Sequence, residues 1–371
     1  MYSDKYYLIN CSKYKIMNIE INGLKNHFFS KTKRESESEQ QVKKKTKIVN
    51  YCFYSINEVD VSNTIKKVPY YSNFYSIVEK HDFVNISTVR EHFFEKVELF
   101  DEKMRYLLLS YRSHYCTFND FLLQFKEPKR FIYQAISTFS YLLQSLIQLE
   151  GQNICFFQFG PENIVFLPEC REKPVLCHFQ LSLLLSKLDE DYIKKILKKT
   201  SNYTTKPLEV HLLFYLMEND LNTVSYSLIE EIVEVFVKNL GILAFFSETY
   251  RNTYRTECIL SLKKYINQPR IAIVSHILTH YKTCWDVYGI SMVYLHVFMC
   301  VSKVFSLSHT FIDRFAMELL KCVHPDPSKR GTLCSLQEAY DGLLKDENSE
   351  WSFVNTLDRS KMQELWYILH I

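Results

Sequence analysis

Glycine is scarce. The 371-residue chain has only 7, and before Gly151 there is just Gly23. No G-x-G-x-x-G run exists, which excludes a glycine-rich loop whose backbone N–H groups close over a phosphate. The 11 cysteines are odd in number and scattered, with no C-x-x-C pair. That argues against a disulfide framework and for reduced thiols, many of them buried, in a cytosolic protein. No apolar run approaches the roughly 18 residues of a membrane-spanning helix. Met1–Tyr7 lacks the apolar middle and small-residue cleavage site of a signal peptide. Without a secretory route the sequons at Asn85 and Asn202 carry little weight. Neither sign of charge dominates: the net charge of +3 is too small to imply nucleic-acid binding.

What is present fits one large or two modest globular domains. Hydrophobic residues make up 47% and charged residues 23%, both ordinary, whereas aromatics at 15% are high. Short β-type runs such as Tyr6–Ile9 and Ile16–Ile21 open the chain. The stretch 30–47 is almost wholly polar and ends in Lys43-Lys44-Lys45, so it reads as a mobile charged loop. Its interleaved glutamates cancel much of a nucleic-acid-binding field. A strand is expected over 48–54, a short helix over Ile56–Lys67, and a strand over Arg105–Tyr111. Phe118–Leu122 then begins a helix. Ile132, Ala135, Ile136, Phe139, Leu142, Leu143, Leu146 and Ile147 form one apolar stripe at helical spacing, and Gly151 is placed to end that helix as a left-handed cap.

The stretch from Ile154 to Ser182 organises the rest. Phe159-Gly160-Pro161-Glu162-Asn163 opens onto an apolar run, Ile164–Leu167; a polar break follows, then Val175-Leu176-Cys177 leads into His178-Phe179-Gln180. Loop, strand, turn, strand and loop in that order resemble the catalytic segment of eukaryotic-type protein kinases, in which H-R-D-x-x-x-x-N feeds one strand and D-F-G follows the next. Lys206-Pro207-Leu208-Glu209 looks like the family's A-P-E element, Trp285-Asp286-Val287-Tyr288 like its D-V-W-S helix start, and Asp326-Pro327-Ser328-Lys329-Arg330 like its D-P-x-x-R. The resemblance implies that Arg330 pairs with Glu209 and that Asp286 holds the backbone around Gln158. Spacing departs from the family over 211–283, a helical insertion that suits either partner binding or plain covering of the core. Its Ser227-x-x-Glu230 reads as a capping box, as does Ser360-x-x-Gln363 near the C-terminus. His276 and His280 share a helical face, but a third zinc ligand and the glutamate of H-E-x-x-H are missing.

The chemistry implied by the resemblance is mostly gone. Gln158 stands where the catalytic aspartate belongs, and an amide only hydrogen-bonds; loss of a general base costs about 10² to 10⁴ in rate. His178 stands at the metal-binding aspartate, and imidazole nitrogen is a poor magnesium ligand. Asn163 keeps the metal-binding asparagine, while Gln180 replaces the glycine of D-F-G. Glu162 and Asp189 are near in sequence but outside the family's metal positions. Gly160 replaces the helper lysine and Phe156-Phe157 the His-Arg pair, whose arginine receives an activation-loop phosphate. For the phosphate-binding lysine, Lys47 precedes its strand, and Lys66 and Lys67 fall within a helix; Glu58 is a candidate helical partner.

The expected fold is α+β and bilobal: a β-rich N-terminal kinase-like lobe over 1–112, a mostly helical C-terminal lobe over 113–345, and a helical tail over 346–371. The loss of base, metal site, phosphate cover and switch together, with Asn163, Glu209, Asp286 and Arg330 kept, resembles a pseudokinase. Such a protein is a binding or scaffolding module in the cytoplasm, its partners being host or viral kinases or their substrates. The alternatives are a divergent active serine/threonine kinase using ATP and magnesium, and a structural virion protein. Richness in Lys, Asn, Tyr, Ile and Phe, with few Gly and Ala, suggests an AT-rich genome and kinase-like proteins of large DNA viruses.

Overall fold

The computed structural model describes residues 19–20, 44–84, 103–200, 205–345 and 352–369. Strands concentrate in the N-terminal part and helices follow, giving an α+β chain. Strands β1 (Ile19–Glu20), β2 (Lys44–Asn50), β4 (Lys80–Val84) and β5 (Tyr106–Arg112) form an antiparallel sheet in the order β1-β2-β5-β4. Leu107, Leu109 and Tyr111 of β5 pack with Val59 of the first helix, Phe53–Ile65, and with Val78. A second sheet, β3-β9-β8-β6, joins Tyr75–Ser76, Cys170–Cys177, Ile164–Leu167 and Cys116–Thr117.

The helix Pro128–Gly151 starts with proline at its first turn, where the missing N–H costs nothing, and buries the stripe from Ile132 to Leu146. Ile147 is only half-buried, and Leu149 is buried in its stead. The helix Trp285–Val304 buries 16 of its 20 residues. It is apolar all round because it is surrounded on every side. By length and composition Lys282–Val304 passes as a membrane span, against the sequence expectation, yet 78% of its most apolar stretch is buried inside the fold. The aromatic surplus sits here: Phe139 meets Tyr294, Phe315 and Tyr340 at ring separations of 5.0, 4.8 and 5.2 Å.

Several local expectations are corrected. Gly151 lies inside its helix; the left-handed residue that turns the chain is Asn153, φ 55°. Asparagine tolerates this region because its short polar side chain makes local hydrogen bonds. Ser225, not Ser227, caps the helix Tyr226–Asn239, accepting from Leu228 N at 3.1 Å. Asp358, not Ser360, accepts from the backbone where the chain enters the last helix, Met362–Leu369. Lys44–Lys47 belong to β2, so the charged stretch reaches only part of its expected length; 30–43, the early run Tyr6–Ile9 and both sequons lie outside the described residues. The 211–283 stretch is helical, with Tyr226–Asn239, Glu248–Lys263 and Arg270–His280. The ten cysteines among the described residues are all free thiols.

Candidate functional site

Short strands and a buried carboxylate position the loop that carries Gln158. β7 (Ile154–Cys155) pairs antiparallel with β10 (Leu183–Leu184), fixing the two ends of the central stretch side by side. Between them, β8 and β9 pair through Ile164 and Leu176. From the first turn of helix Trp285–Val304, Asp286 accepts from Phe156 N and Phe157 N, both at 2.7 Å. Burial raises the Asp286 pKa, and the Phe157 and Phe156 amides oppose that rise. These two amides directly precede Gln158, the loop whose backbone the resemblance gives Asp286 to hold.

Helix and loop approach closely at Gly289. A Cβ built there would lie 2.8 Å from Phe159 Cβ, inside any real contact, so this position needs glycine. Phe159 and Phe156 are buried, and Phe156 meets Phe179 edge to face at 5.2 Å. Phe179 also meets Tyr75 at 6.0 Å, and the Tyr75 hydroxyl donates to Ser145 O at 2.7 Å.

A second anchor lies behind the loop. Arg330 donates through Nη1 and Nη2 to the two oxygens of Glu209, at 2.7 and 3.0 Å. The remaining capacity of both groups is used: Trp285 Nε1 donates to Glu209 at 3.1 Å, and Arg330 also donates to the carbonyls of His324 and Pro325. Such a pair is costly to desolvate and stable only with its hydrogen bonds complete.

The groups expected to do chemistry are two carboxamides and an imidazole. Gln158 is half-buried and Asn163 is 3% exposed. Their oxygens, Oε1 and Oδ1, have no hydrogen-bond partner among the described residues. His178 takes φ 64°, the left-handed turn that ends β9, and its ring stands 6.3 Å from that of His114. Magnesium is the ion that the kinase resemblance implies. It prefers anionic oxygen in octahedral geometry, and two carboxamides with an imidazole do not fit it. Glu162 folds back on Gly160, where an added Cβ would meet its carboxylate at 2.6 Å.

Lys47 and Glu58 fare better than the sequence suggests. Lys47 lies in the middle of β2, opposite Leu109, rather than before the strand. Glu58 is buried on the first helix; desolvation raises its pKa, and Lys47 and a hydrogen bond from Tyr111 pull it back. The Lys47 ammonium sits 5.5 Å from the centre of the Tyr111 ring. Lys66, just past the helix end, donates to Glu79 O instead.

Three contributors escape sequence reasoning. Asn57 Nδ2 donates to Gln180 O at 3.1 Å and Ser182 O at 2.9 Å, and the Tyr192 hydroxyl donates to Asn57 Oδ1 at 2.5 Å. Lys206 is buried against Phe157. An asparagine inside a helix and a lysine three residues before Glu209 are the only signals the sequence offers. His276 and His280 stack at 4.7 Å, and Tyr265 OH lies 2.9 Å from His276 Nδ1. A cavity of about 280 Å³ opens where Gly241 and Ile242 meet Pro161, Met292 and Val297. No family model matches this chain, and no curated protein sequence matches it.

Proposed function

We propose that this chain is a protein-kinase-like protein with two lobes, inactive as a phosphotransferase and used as a protein-binding or scaffolding module. The observation that carries the reading is the pairing of an intact frame with a centre that has no acid at position 158 or 178. Asp286 holds two successive amides of the loop, and Arg330 forks onto Glu209, the contacts that a kinase-like frame implies. At the two positions where that frame implies acids stand Gln158 and His178.

Phosphoryl transfer depends almost entirely on positioning and on charge placed against the phosphates. Gln158 has no carboxylate to orient a hydroxyl, and His178 brings no anionic oxygen. The apolar cluster of Val165, Leu167, Val175 and Cys177 beside this loop is closed, each side chain at most 3% exposed. The kept frame and the missing acids support a binding role with protein partners, and the odd, scattered cysteines support a place in the cytoplasm.

One observation favours a second reading, a divergent active kinase: Lys47 and buried Glu58 face each other electrostatically across the first sheet and helix. Kinases place such a lysine against a helical glutamate. Here the hydrogen bond to Glu58 comes from Tyr111, not from the lysine. Thermal-shift titration with ATP, with and without magnesium, separates the two. The module predicts no magnesium-dependent shift; a shift of several degrees that requires magnesium overturns it.

A further inference from the structure

Lys206 stands three residues before Glu209, at the start of the A-P-E-like element. It is 2% exposed, its ammonium donates to the Phe157 carbonyl, and the same nitrogen lies 4.6 Å from the centre of the Phe157 ring. Phe157 has φ 62°, a left-handed backbone that is strained for a bulky residue and persists only where its surroundings fix it. Four contacts do so. Asp286 takes its N–H at 2.7 Å, Trp285 packs on its ring at 5.4 Å, and Lys206 supplies the carbonyl and the other ring contact. A buried ammonium needs compensating charge; Asp286 and Glu162 face Lys206, as does the Cys155 thiol.

The contacts run from the segment that leads into Glu209 back to the loop that carries Gln158. In the kinase resemblance those two segments are joined the other way, by a loop arginine holding an added phosphate, and here Phe157 occupies the arginine's place. We propose that Lys206 is a positioning residue that locks the Phe156–Gln158 loop to the segment entering Glu209, with no phosphorylation required. The proposal deepens the kinase-like reading, naming how its central loop is regulated: it is held permanently in one conformation. The lock itself is a matter of contacts and stands apart from nucleotide chemistry.

Hydrogen exchange read by mass spectrometry on the full chain, without nucleotide or metal, tests this with wild type, Lys206→Met and Lys206→Arg. Removing the donor should speed exchange across Phe156–Gln158 by about tenfold or more while Trp285–Val304 keeps its protection. Lys206→Arg, which retains a donor and a cation, should keep the loop slow. Unchanged exchange in the loop of Lys206→Met, or acceleration spread evenly over the chain, overturns the proposal. Should Lys206→Met fail to fold, wild type before and after phosphatase treatment decides: equal loop exchange supports the lock, and faster exchange after dephosphorylation overturns it. Neither measurement involves ATP, so a failed lock and a failed pseudokinase reading give separate signatures.

Discussion

Replacing Arg330 with methionine isolates the energetics of the buried anchor. Both partners are almost fully enclosed, with side-chain exposures of 0% for Arg330 and 2% for Glu209. Arg330→Met fills much the same space yet strips Glu209 of two charge-assisted hydrogen bonds and leaves the carbonyls of His324 and Pro325 without their donor. The Trp285 indole and, more weakly, the Cys284 thiol still donate to the stranded carboxylate. Breaking one side of a buried pair costs about 3–5 kcal/mol, whereas replacing both partners with apolar groups is often close to neutral. Against a typical total of roughly 5–15 kcal/mol, the single variant is badly weakened. Urea unfolding followed by fluorescence should therefore show Arg330→Met losing about 3–5 kcal/mol and the double variant Glu209→Leu/Arg330→Met recovering at least about 2 kcal/mol of it. A loss below about 1 kcal/mol in the single variant, or costs that simply add in the double, would refute the reasoning.

Two further outcomes follow from the loop and its supports. Gly289→Ala places a methyl 2.8 Å from Phe159 Cβ, and since that contact is next to the backbone, helix and loop must separate; the expected loss in chemical denaturation is about 1–3 kcal/mol, and a neutral result contradicts the close approach. Burial lowers the Lys206 pKa from the ordinary 10.5 to about 8, with Asp286, Cys155 and Glu162 opposing the drop. A depressed base contributes stability that is present above pH 10.5 and lost as pH falls through 8, because the unfolded chain then binds more protons. Relative to Lys206→Met, wild type should thus gain about 2 kcal/mol between pH 7 and pH 9.5, a comparison that cancels the buried tyrosines and cysteines common to both proteins. A flat difference across that range removes the buried ammonium from the account.

Long-range pairings were legible only through the motifs' resemblance to those of kinases, which implied that Arg330 meets Glu209 across 121 positions and that Asp286 holds the loop backbone. Residue types alone do not say which acid meets which base. The stripe from Ile132 to Leu146 was legible through its period alone. What failed was chemistry decided by neighbours. Lys47 reads as loop because its run is charged, yet β1 and β5 flank it on both sides and make it a strand. Two serines competed to cap the helix Tyr226–Asn239, and the earlier one won by accepting from Leu228 N. Gly151 was the better left-handed residue by intrinsic preference, but the helix ran one turn-position further and Asn153 took that role. Lysine beside proline reads as surface, and only tertiary packing shows that Lys206 is enclosed.

The most direct measurement of the central claim is transfer of labelled γ-phosphate from ATP, with magnesium, to the chain itself and to a general protein acceptor. With an amide at 158 and an imidazole at 178, wild type should give no more label than a Gln158→Ala control. Robust labelling by wild type that the Gln158→Ala change abolishes would contradict it.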